Sequence, residues 1–101
     1  MSRLETLRAL VAKSPSNPLA RFGLAIEEEK EGQLAEARAN FEAYLAVYDD
    51  EGNGWQRLAD VRRRLGDVDG AKEALRRGME AAHRFGHPSM VDEMQEQLDE
   101  L

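Results

Sequence analysis

The chain has 101 residues, a formal net charge of -6, 42% apolar and 34% charged residues, and no cysteine. That length suits one domain with a single core. The acidity argues against a partner nucleic acid, whose phosphates call for a surplus of Lys and Arg, and the missing cysteine excludes disulfides and thiolate metal sites.

"MSRLETLRALVAK" reads as a helix over Ser2 to Lys13, broken by Glu5, Arg8 and Lys13 too often for a signal core or membrane span. A cytoplasmic protein that engages no membrane is expected. Ser14-Pro15 ends this helix, because the residue before a proline is pushed out of the α region. Asn17-Pro18 then offers a capping side chain followed by a proline at the first helical position, where its missing N–H does no harm. Helices are expected over Pro18 to Glu31 and Leu34 to Tyr48, followed by the polar turn "DDEGN", Asp49 to Asn53. Two more are expected over Gly52 to Leu65 and Val68 to Phe85, with a stop and restart at "GHPS", Gly86 to Ser89. The sixth, Pro88 to Leu101, puts Met90, Val91, Met94, Leu98 and Leu101 on one stripe and its acids mostly opposite, as a solubilising cap should. Met79, Ala82 and Phe85 are expected to form its seat.

The chain repeats itself. Gly32 and Gly66, Ala37 and Ala71, Phe41 and Leu75, and Leu24-Ala25 and Leu58-Ala59 are all 34 positions apart. The same step backwards takes Phe41 to Leu7, Tyr44 to Leu10 and Asp49 to Pro15, so the pattern begins partway through a unit. Each glycine stands where one apolar-periodic helix stops and another starts, which calls for a left-handed C-cap. Helices so briefly joined pack antiparallel, and Ala37 and Ala71 are small because they lie at the closest approach.

A 34-residue helix-turn-helix unit with Trp55, Leu58-Ala59, Gly66-Asp67, Ala71 and Leu75 at these spacings resembles a tetratricopeptide repeat. The first unit keeps Gly32, Ala37 and Phe41 but has Arg21 where the family usually has an aromatic, and Asp49 and His83 replace the closing proline. The resemblance implies an all-α fold of about six helices, stacked as a short right-handed superhelix. The single domain 1–101 then divides into a half-repeat helix (1–15), repeats at 18–51 and 52–86, and a capping helix (88–101). It also implies a non-catalytic scaffold that holds another protein or peptide on a concave face.

Nothing in the residues proposes catalysis, a cofactor or a metal. His83 and His87 have a zinc-compatible spacing, but Gly86 and Pro88 interrupt the helix between and beyond them, and they read as surface or capping histidines. Glu27, Glu28, Glu29 and Glu31 read as a solvated helix end. On the fourth helix Arg57, Asp60 and Arg64 share a face, either as exposed charges paired with Glu28, Glu29 or Glu31, or as a groove for acidic peptide groups. Phe22 and Ile26 occupy the comparable face of the second helix, as groove or as core, and Glu29 completes the candidate partner-binding set. Their apolar character disfavours the chaperone-tail carboxylate clamp of some relatives. The competing expectation is a homodimer or larger self-assembly through terminal helices carrying Met90 and Met94.

Overall fold

The computed structural model describes all residues, Met1 to Leu101. It contains six helices and no strand: α1 (Arg3–Lys13), α2 (Pro18–Lys30), α3 (Leu34–Val47), α4 (Asn53–Arg64), α5 (Val68–Arg84) and α6 (Pro88–Asp99). Every expected helix is present, with ends shifted by no more than two residues. The shifts have causes at the caps. Ser2, for example, lies outside α1, and its Oγ accepts the Glu5 N–H at 3.1 Å. Contacts divide the chain into two units, Met1–Tyr48 and Asp49–Leu101, parting at the polar turn.

In the first unit α1 rests on α2, and α2 pairs with α3. Asn17 caps α2 through its Oδ1, which accepts the Leu19 and Ala20 N–H groups at 3.0 and 3.3 Å. At the end of α2 the Gly32 N–H donates to the Glu29 carbonyl at 3.0 Å and the Gln33 N–H to that of Glu28 at 2.8 Å. This double closure needs the left-handed conformation that Gly32 adopts at φ +77°, where a side chain would cost about 1–2 kcal/mol. Leu24, Ala25, Ala37, Phe41 and Tyr44 are buried. The ring of Phe22 meets Phe41 edge-on at 5.9 Å and Tyr44 at 4.6 Å, fixing α2 to α3.

In the second unit α5 packs against both α4 and α6. Asp50, 6% exposed, starts the unit: its Oδ1 accepts the N–H groups of Gly52 at 2.7 Å and Gly54 at 2.8 Å, satisfying α4 from outside the helix. Asp67 caps α5 by accepting the Gly70 N–H at 2.9 Å. Leu58, Ala59, Val61, Ala71, Ala74, Leu75, Ala81, Ala82 and Met94 form the core. The seat of α6 differs from expectation. Ala82 is buried, but Phe85 is 39% exposed, because it caps α5 and lies under the Arg84 guanidinium at 5.0 Å. Gly78 takes its place in the seat, where an added Cβ would stand 2.6 Å from Met94 Sδ and 2.9 Å from Trp55 Cβ. Removing the side chain at that point lets α4, α5 and α6 close together.

Candidate functional site

The second unit holds an open cleft of about 420 Å³ on the side of α4 that faces α6. Gln56, Asp60 and Arg63 of α4 form one wall, Gln97, Glu100 and Leu101 the other, and Ala59 and Leu75 lie at its base. Its shape is set by short polar links. The Gln56 amide donates to Glu93 Oε1 at 3.1 Å and to Gln97 Oε1 at 3.0 Å, holding α6 at a fixed distance from α4. Arg63 donates to Asp60 Oδ1 at 2.8 Å, and Arg64 stands 3.7 Å from Asp60 Oδ2. Chemically the cleft offers amides and carboxylates for hydrogen bonds beside a small apolar base.

The arginine run is thereby divided by role. Arg62 is the structural member, donating to the Gly70 carbonyl at 3.0 Å with Glu73 at 3.9 Å, so it ties α4 to α5. Of the face expected on α4, Asp60 lines the cleft, while Arg57 and Arg64 are not among its lining residues. The repeat explains the offset. Phe22, Ile26 and Glu29 on α2, advanced by 34 positions, fall on Gln56, Asp60 and Arg63, the three residues of the cleft wall on α4. Another 34 positions carry Glu29 through Arg63 to Gln97 on the opposite wall. In its own unit Phe22 is half-buried against the α3 aromatics, and Ile26 is half-buried beside it on the same helix. Glu29 lies one turn further on, half-buried at the end of that face. Charge along α4 points to Arg57 and Arg64 instead of Gln56 and Arg63, and it gives no pointer to Gln97 and Glu100 at the end of the chain.

Neither histidine shares a metal-ligating group of three or more residues. His87 lies 2.6 Å from Glu51, and Arg84 forms two hydrogen bonds to Asp49 at 2.9 and 3.0 Å, so the polar turn that opens the unit is tied to the end of α5. The Arg84 hydrogen bonds hold the exposed Asp49 carboxyl below its ordinary 3.8. Its contribution is present above that value and is lost as pH falls.

Glu28 behaves in the opposite sense. It is 3% exposed in the first unit, accepts from Asn40 Nδ2 at 2.6 Å, and has Arg8 at 3.9 Å. Burial pushes its carboxyl above the ordinary 4.5; the Asn40 hydrogen bond and Arg8 oppose this, and Glu36 adds to it. The folded state therefore holds this proton more tightly than the unfolded chain does. Its contribution is full below the ordinary value and is lost as pH rises through the raised one. Glu28→Gln should flatten that part of the stability profile and raise the melting temperature at neutral pH by a few degrees. Thermal melts from acid to neutral pH check this: a variant that follows the wild-type profile contradicts it.

A TPR repeat-containing protein of Pseudomonas aeruginosa is 29% identical over 91 residues, 90% of this chain and 87% of the relative. The solution structure of a Bordetella parapertussis protein superimposes with a TM-score of 0.82 at 28% identity, covering 99% of this chain and 87% of that one. The crystal structure of the Sgt2 TPR domain from Aspergillus fumigatus gives 0.74 at 23% identity, covering 96% of this chain and 66% of the other. The chain is similar in sequence and in fold to tetratricopeptide-repeat proteins. No family model matches it. Among tetratricopeptide-repeat proteins the general role is a non-catalytic scaffold for other proteins or peptides, and no helix here is long and apolar enough to cross a membrane.

Proposed function

We propose that this protein is an interaction scaffold that receives an extended segment of a partner protein in the α4–α6 cleft. The observation that carries the reading is the coincidence of the cleft walls with the repeat register: Gln56, Asp60 and Arg63 occupy, one repeat on, the face of Phe22, Ile26 and Glu29. That face is the one the sequence expects to be concave. Gln56 and Gln97 present amide groups able to pair with a peptide backbone, and Ala59 and Leu75 leave room for one apolar side chain. Asp60, already shared by Arg63 and Arg64, contributes orientation more than net charge. No residue in the cleft has a role in bond-making on this reading.

Gln97 is exposed, so Gln97→Trp fills the cleft without disturbing the core. A partner captured from a cell extract and identified should bind this variant at least tenfold more weakly, about 1.4 kcal/mol, at unchanged melting temperature. Arg64→Glu should weaken it less, since Arg64 does not line the cleft and stands 3.7 Å from Asp60, which does. Equal affinity for wild type and Gln97→Trp, measured by calorimetric titration, would move the binding site elsewhere.

A further inference from the structure

Helices of two kinds alternate along the chain. In the 34-residue register α2, α4 and α6 are first members of a pair and α1, α3 and α5 are second members. Where pairs are complete, α2 with α3 and α4 with α5, the register buries Leu24 and Leu58 from the first members and Ala37 and Ala71 from the second, none more than 5% exposed. The same positions on α6 and α1 are Asp92 and Arg3, both exposed. A buried apolar match has become an acid on one helix and a base on the other.

The surrounding faces follow suit. On α1, Arg3, Leu10 and Lys13 lie along one exposed stripe, with Leu10 49% exposed; its equivalents in the register, Tyr44 and Gly78, are buried. Arg3 has one partner in its own unit, Glu27 at 3.3 Å, and remains 72% exposed. On α6, Asp92, Glu96 and Asp99 form the matching stripe, and the helix has no basic residue to offset them. Asp92, Glu96 and Glu100 also repel one another at i, i+4 spacing, which weakens an isolated helix.

We propose that α6 of one molecule docks antiparallel on α1 of a second copy, so that the two complete a helix pair across the molecular boundary. Asp99 then lies toward Arg3, Asp92 and Glu96 flank Leu10, and Lys13 meets the start of α6. Each molecule carries one surface of each kind, so the contact is head-to-tail and not two-fold. One helix laid on another buries less than the ~1,200 Å² of a stable interface, so the association is weak and appears at the top of a concentration series. This inference does not depend on the cleft, whose lining is not used by the contact apart from its neighbourhood on α6.

Sedimentation velocity over a concentration series tests it. The wild type should associate with rising concentration. Arg3→Glu with Lys13→Glu, and separately Asp92→Lys with Glu96→Lys, should each sediment as monomers, since like charges then face one another. An equimolar mixture of the two variants should associate again, because each helix finds an opposite face. All of these positions are exposed, and circular dichroism should show unchanged folds. A monomeric wild type throughout, either variant associating like the wild type, or a mixture that stays monomeric overturns the proposal.

Discussion

Ala37→Arg should unfold the protein broadly, whereas Ala39→Arg, two residues along the same helix, should melt almost like the wild type. Ala37 is fully buried on α3, which packs against α2, and Ala39 is exposed. Overpacking alone costs about 1–3 kcal/mol. A guanidinium confined there without a partner adds the penalty of a buried, uncompensated charge, about 3–5 kcal/mol where such cases are measured. Together these approach the whole stability of a domain this size, roughly 5–15 kcal/mol. Circular-dichroism melts of the two variants decide it, and equal stability would mean that the packed face of α3 is misassigned.

Gly78→Leu should be comparably damaging to the second unit and should release α6. An added Cβ already meets Trp55 Cβ at 2.9 Å, where neither backbone can yield cheaply, and Met94 Sδ at 2.6 Å, which can move only by leaving its buried seat. The milder Gly78→Ala isolates the close approach from bulk. Alanine's advantage in a helix is worth ~1 kcal/mol over glycine, so a net loss of about 1 kcal/mol, a fall of ~4–8 °C in melting temperature, is expected. A Gly78→Ala variant more stable than wild type would show that the three helices have slack at this point.

The fold was legible because its punctuation is chemical. Asn17-Pro18, Ser14-Pro15, Gly32 and Gly66 set boundaries that need no tertiary information, and the 34-residue step fixed the pairing of helices. What escaped the sequence depends on distances between helices. Nothing local marks Gly78 as a packing position, since a glycine inside a helix reads only as a weak point until Trp55 and Met94 are seen against it. Asp50 likewise reads as one more turn acid until its two accepted N–H groups are seen. The apolar character of Phe85 suggests a place in the seat of α6, but as the C-cap of α5 it stays 39% exposed.

For the cleft the lesson is one of phase. Asp60 was found because it is common to both possible faces of α4, the charged one with Arg57 and Arg64 and the register-matched one with Gln56 and Arg63. Following charge selected the first. Carrying Phe22, Ile26 and Glu29 forward by one repeat selects the second with no reference to structure.

The most direct measurement is an amide chemical-shift titration of the labelled protein with a peptide from the identified partner. The account predicts that the largest perturbations fall on Gln56, Asp60, Arg63, Gln97 and Glu100, and that they vanish in Gln97→Trp. Perturbations confined to residues outside the cleft, with that variant binding as the wild type does, would contradict it.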